Sequence, residues 1–114
     1  MFSKIVNRLF YSSRKANENY TELRELLSKI LLPEGFVADL KGDFVKYQRG
    51  TLLVELYFDK RDWLFAFFAS KNMRNPVSPP RQVSLTFFPN DSTADLKIAL
   101  QAELEGWFKT LGNK

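Results

Sequence analysis

Two apolar stretches joined by a short turn restrict the fold of this chain more than any other feature. TLLVELYFD at 51–59 alternates apolar and polar residues, which is the period of a β-strand with one face in a core. WLFAFFAS at 63–70 is apolar on both faces, which is typical of a central strand. The turn DKRD at 59–62 is too short for a crossover, so the two strands must pair antiparallel.

Three further segments have the length and period of strands. GFVADL at 35–40 and DFVKYQ at 43–48 precede the first pair, and RQVSLTFF at 81–88 follows it. Short turns separate the first four strands, whereas the longer loop KNMRNPVSPP at 71–80 leads into the last one. The pattern predicts an antiparallel meander of four to five strands.

Two amphipathic segments before the strands predict two N-terminal helices. In MFSKIVNRLF the apolar residues recur at helical spacing, which predicts a first helix near residues 2–13. NENYTELRELLSKILLPEG at 17–35 predicts a second helix, with Asn19 as its N-cap and Glu22 as the capping-box partner. Pro33 is expected to end this second helix.

A C-terminal helix completes the predicted fold. Residues 89–114 carry an apolar stripe of helical period, with Asp91 or Ser92 as the N-cap and Gly112 at the end. A chain of 114 residues is expected to form a single domain, residues 1–114. We therefore predict an α+β fold in which two N-terminal helices and one C-terminal helix lie mainly on one face of an antiparallel sheet.

The residue types that the chain lacks exclude several kinds of chemistry. It contains no cysteine and no histidine. Disulfides, thiolate nucleophiles and cysteine-based zinc sites are therefore excluded, and the usual general base and the commonest metal ligand are missing. We expect no enzymatic activity, no cofactor and no metal site. A chain without disulfides also fits the reducing environment of the cytoplasm.

Basic charge is concentrated at the start of the chain. Lys4, Arg8, Arg14 and Lys15 are the charged residues of segment 1–17, and together they equal the net charge of +4 of the whole chain. Because the rest of the chain is neutral, the composition does not favour nucleic acid or a membrane surface as the partner. In the alternative that the first helix binds one of these, the four basic residues would make the contact.

The sheet face opposite the helices is the predicted partner-binding surface. Aromatic side chains and arginines beside carboxylates are typical of protein interfaces. The turn at 59–62 and the loop at 71–80 add basic residues at the edges of this face. The predicted partner-binding residues are Tyr47, Arg49, Tyr57, Asp59, Arg61, Lys71, Arg74 and Phe88.

In size, in the order of its elements and in its lack of catalytic groups, the chain resembles a family of bacterial inhibitors. These are the small single-domain α+β immunity proteins of polymorphic-toxin and contact-dependent inhibition systems. The resemblance extends over the whole chain and rests on no motif, so it assigns no functional residue. It implies a protein that binds a cognate toxin domain and occludes it. The alternative from the residues themselves is an adaptor or chaperone that forms a homodimer through the sheet face.

Overall fold

Two helices flank five consecutive strands along the chain. The computed structural model describes residues 2–71 and 82–112. Its elements, in chain order, are α1 (Phe2–Leu31), a short 3-10 helix (Leu32–Glu34), β1 (Val37–Lys41), β2 (Phe44–Arg49), β3 (Leu52–Asp59), β4 (Leu64–Lys71), β5 (Gln82–Phe87) and α2 (Thr93–Gly112). All five predicted strands overlap observed ones, and the α+β class is confirmed.

The five strands form one antiparallel sheet in the order β1-β2-β3-β4-β5. Two of the hairpins have two-residue loops, Gly42-Asp43 between β1 and β2 and Gly50-Thr51 between β2 and β3. Each loop begins with a glycine at positive φ, 57° for Gly42 and 58° for Gly50. A type II′ turn reserves this position for glycine, so these two residues fix the register of the first three strands. The predicted meander is confirmed.

The prediction of two separate N-terminal helices is wrong. A single helix, α1, runs from Phe2 to Leu31. Residues 12–19 contain neither proline nor glycine, so no residue in this stretch stops the helix. Asn19, predicted as an N-cap, lies within α1 and is completely buried. A helix of this length extends about 45 Å, which accounts for most of the longest dimension of the molecule, 53 Å.

The core lies between the two helices and one face of the sheet. The amphipathic pattern of the second helical segment is confirmed, because Leu23, Leu27 and Leu31 are fully buried. The other buried apolar side chains are Ala16, Tyr20, Phe36, Val45, Tyr47, Val54, Leu56, Phe58, Phe65, Phe67, Ala69, Phe87, Leu96, Leu100, Leu104 and Trp107. In the central strands β3 and β4 burial alternates residue by residue, so the core is confined to one face of the sheet.

The two helices run parallel to each other. The Lys15 Nζ donates to the Thr93 hydroxyl at 3.1 Å, and the Lys97 ammonium pairs with the Glu22 carboxylate at 3.1 Å. The contact nearer the N-terminus of α1 is also the one nearer the N-terminus of α2, so the two helices point in the same direction. Neither helix of the described segments is at once long and apolar enough to cross a membrane.

Asn19 joins α1 to the segment that leads into α2. Its Nδ2 donates to the backbone oxygens of Pro89, at 2.7 Å, and Asp91, at 3.0 Å. Its Oδ1 accepts from the Thr93 hydroxyl. The predicted cap at Ser92 is present, because the Ser92 Oγ accepts from the Asp95 N–H at 3.4 Å. The amide of Asn19 thus gives a partner to the buried backbone oxygen of Pro89 and to the backbone oxygen of Asp91.

Candidate protein-binding surface

The sheet face turned away from the helices is not covered by either helix. We call it the outer sheet face. Most of its side chains on the three strands β2, β3 and β4 are half-buried, whereas Gln48 is exposed. The half-buried ones are Phe44, Lys46, Leu53, Glu55, Tyr57, Asp59, Leu64, Ala66, Phe68 and Ser70.

An aromatic strip crosses the middle of this face. The rings of Phe44 and Tyr57 are directly opposite each other on β2 and β3 and stack with their centroids 4.4 Å apart. The ring of Phe68 on β4 meets Tyr57 edge-on, at 5.8 Å and 80°. Both distances lie in the range at which aromatic pairs stabilise each other. The three rings therefore form a continuous aromatic patch rather than isolated side chains.

A carboxylate lies beside the aromatic strip. The Tyr57 hydroxyl donates to the Glu55 Oε2 at 2.8 Å. Glu55 is directly opposite Lys46 on β2 and Phe68 on β4. Partial burial of the phenol, together with its hydrogen bond to the nearby Glu55 charge, raises the pKa of Tyr57 to about 12. Tyr57 therefore remains a neutral donor to Glu55 at physiological pH.

Two predicted binding residues, Tyr47 and Arg49, lie on the helix-facing side of the sheet instead. Tyr47 is completely buried, and its hydroxyl donates to the Arg24 backbone oxygen at 3.0 Å and bonds the Ser28 hydroxyl at 2.7 Å. The Arg49 Nη1 donates to the Glu34 backbone oxygen, and its guanidinium lies 5.1 Å from the centre of the Phe36 ring. Their assignment to the outer sheet face is wrong. The prediction placed Tyr47 and Arg49 on the outer face of β2, whereas these two residues lie on the face that contacts the helices.

The sequence itself contains the information that decides which residues of β2 face the core. A two-residue loop at Gly50-Thr51 makes Arg49 and Leu52 direct partners, and directly opposite residues share one face. Since Leu52 begins the core-facing set of β3, Arg49 and Tyr47 must face the core as well. The same step assigns Phe44 and Lys46, which were not among the predicted binding residues, to the outer sheet face.

Removal of the Tyr47 hydroxyl tests its assignment to the core. Tyr47→Phe is expected to lower the free energy of unfolding by about 1 kcal/mol, because the half-buried Ser28 hydroxyl and the Arg24 backbone oxygen each lose a partner. Urea denaturation of the wild type and the variant measures the difference. Tyr57→Phe, which removes a hydroxyl from the outer sheet face, is the matched control and is expected to have a smaller effect. An equal loss in both would contradict the assignment.

The other predicted binding residues lie towards the ends of the sheet. The Asp59 Oδ1 accepts from the N–H groups of Arg61 and Asp62, both at 3.0 Å, so this carboxylate closes the β3–β4 turn. Phe88 follows β5 and is 72% exposed. Lys71 ends β4 at the opposite end of the sheet from that turn. Of the predicted set, Tyr57 alone lies at the centre of the outer sheet face, and Arg74 lies outside the described residues.

The basic residues predicted for the membrane or nucleic-acid alternative make local contacts where they are described. Arg14 pairs with Glu18 at 3.5 Å, one turn along α1. Lys15 contacts Thr93 at the start of α2. The side chains of Lys4 and Arg8 lie outside the described part of the chain. The described contacts of Arg14 and Lys15 are thus within the protein itself.

Within residues 13–71 and 83–111, no three carboxylates come together in an arrangement that could hold a metal ion. Comparison of the chain with protein-family models, with curated proteins and with solved structures finds no match.

Proposed function

We propose that this protein is a non-catalytic domain that binds another protein through the outer sheet face. The observation that carries the proposal is the aromatic strip of Phe44, Tyr57 and Phe68 on a sheet face that neither helix covers. Aromatic side chains contribute most to binding where they are rigid and become fully desolvated by a partner. The strip already holds its rings in place, so a partner that covers it gains apolar burial without ordering them.

The charges on the outer sheet face favour a protein over a nucleic acid. Aromatic rings on a sheet can stack on bases, but nucleic-acid binding also requires an excess of cations for the phosphates. Here Lys46 is opposite Glu55, and on β1 Lys41 pairs with Asp39 at 3.7 Å. These cations are balanced by carboxylates, which suits a protein interface with mixed charge.

We propose further that the partner is a toxin domain and that the protein neutralises it by occlusion. This step follows the resemblance to immunity proteins, in size, in the order of elements and in the absence of catalytic groups. Occlusion requires only a rigid, complementary patch, and no reacting group has to be supplied. The aromatic strip provides such a patch, and the charges around it would determine partner choice and association rate.

Co-expression with the product of the neighbouring gene tests the function, with Tyr57→Ala as the diagnostic variant. We expect a stoichiometric complex, relief of any growth inhibition by the neighbouring protein, and at least a roughly tenfold weaker complex with the variant. Ile98→Ala is the matched control, because Ile98 is apolar and 68% exposed but lies on α2. Circular dichroism verifies that both variants are folded.

Two results would contradict the proposal. Unchanged affinity of Tyr57→Ala would show that the outer sheet face is not the contact surface. Absence of both a complex and growth relief would remove the toxin domain as the partner.

A further inference from the structure

Glu55 is a carboxylate with aromatic side chains beside it on the outer sheet face. It is half-buried, lies between two strands that place Phe68 and Lys46 opposite it, and accepts a hydrogen bond from Tyr57. Among the side chains that the structure describes, no lysine or arginine nitrogen lies within 4.0 Å of its carboxylate. Further burial of such a charge by a partner is unfavourable unless the partner brings an opposite charge.

The rings beside Glu55 favour a planar cation. Directly opposite residues in an antiparallel pair have their Cβ atoms about 5 Å apart, so a cation paired with Glu55 reaches the Phe68 ring within the distance of cation–π attraction, about 6 Å. A guanidinium binds a carboxylate with two parallel hydrogen bonds and also stacks on aromatic rings, whereas an ammonium is a strongly hydrated point charge. Arginine therefore fits this place better than lysine.

Lys46 of the protein itself is the internal competitor for Glu55. It lies directly opposite on β2, and cross-strand pairs of opposite charge attract each other weakly. An arginine from a partner would compete with Lys46 for the Glu55 carboxylate. Removal of the Lys46 charge should therefore strengthen arginine binding at Glu55.

From this geometry we infer that the outer sheet face recognises an arginine side chain of its partner, held by the Glu55 carboxylate and the rings of Tyr57 and Phe68. The inference rests on the proposed function, which it deepens by naming the chemistry of the partner. The face would select a partner with an arginine projecting from an otherwise apolar patch. Apolar burial on the aromatic strip would supply affinity, and the arginine would supply specificity.

The test is an NMR titration of the ¹⁵N-labelled protein with Nα-acetylarginine amide. Nα-acetylcitrulline amide, which has nearly the same shape and no charge, is the control ligand. We expect saturable amide shifts around Glu55, Tyr57 and Phe68 with arginine, and at least about fivefold weaker binding with citrulline. Glu55→Gln is expected to weaken arginine binding by about fivefold or more, and Lys46→Gln to strengthen it by about twofold to fivefold.

Glu25→Gln is the matched control variant and should leave the arginine titration unchanged, because Glu25 is exposed on α1, away from the sheet. Equal shifts with arginine and citrulline, or shifts centred on the carboxylates of α1, would overturn the inference. So would unchanged binding in Glu55→Gln. The titration contains no protein partner, so its failure would not contradict the proposed complex with a toxin domain. Co-expression tests that complex separately.

Discussion

Phe67→Ala is expected to lower the free energy of unfolding by about 4 kcal/mol, whereas Phe68→Ala is expected to lower it by about 1 kcal/mol. The two residues are neighbours on β4, and the substitutions delete the same atoms from the same strand. Phe67 is completely buried between the sheet and the helices, and Phe68 is half-buried on the outer sheet face. Truncation of Phe67 therefore leaves a cavity, but truncation of Phe68 mainly removes contacts with Tyr57.

Urea denaturation monitored by circular dichroism measures both differences. Because the two substitutions delete the same atoms at adjacent positions of one strand, the difference between them reports mainly how deeply each side chain is buried. Phe67→Leu, with a smaller expected loss, provides a graded value where Phe67→Ala is too unstable to analyse. A loss in Phe68→Ala as large as in Phe67→Ala would mean that the outer sheet face is itself buried in solution.

Asn19→Ala is expected to lower the free energy of unfolding by about 3 kcal/mol. The substitution removes three hydrogen bonds and leaves the backbone oxygens of Pro89 and Asp91 and the hydroxyl of Thr93 without this partner. Each bond contributes about 1 kcal/mol, and buried groups left unsatisfied add to the loss. Alanine also favours the helix slightly more than asparagine, which offsets a few tenths of a kcal/mol.

Asn17→Ala provides the control for helix propensity. Asn17 is exposed on the same turn of α1, so its replacement is expected to change the free energy of unfolding by less than about 0.5 kcal/mol. The same urea titrations serve for both variants. Similar stability of Asn19→Ala and Asn17→Ala would show that the hydrogen bonds to the segment before α2 contribute little.

Asn19 also illustrates which parts of the fold follow from local sequence. The strands were predictable, because their alternation and their glycine-containing turns are properties of adjacent residues. The helix boundary was not, because asparagine is a favoured N-cap when only its neighbours along the chain are considered. The partners that keep Asn19 inside α1 lie about 70 residues away, at Pro89 and Asp91. A contact of that range is not visible in a short sequence window.

The sequence was sufficient to predict an aromatic sheet face opposite the helices, but it identified only some of the residues that lie on that face. Period-two alternation divides a strand into two faces, but it does not say which face is buried when both carry an aromatic residue. In β2, Tyr47 and Phe44 are both aromatic, so alternation alone did not show that Tyr47 is the buried one. Its burial depends on α1, where the Arg24 backbone oxygen accepts a hydrogen bond from the Tyr47 hydroxyl and the Ser28 hydroxyl bonds it as well. Tyr57 was correctly placed because β3 has a clearer apolar set.

The meander has a consequence for the order in which the chain assembles. Each strand pairs with its neighbour in sequence, and two of the connections have only two residues, so the loss of chain entropy on closing them is small. Topologies of such short sequence separation fold quickly. The parallel packing of α1 against α2, in contrast, joins the two ends of the chain through Asn19 and Thr93. We expect the hairpins to form early in folding. The packing of α1 against α2 is expected to form last, after the rate-limiting step.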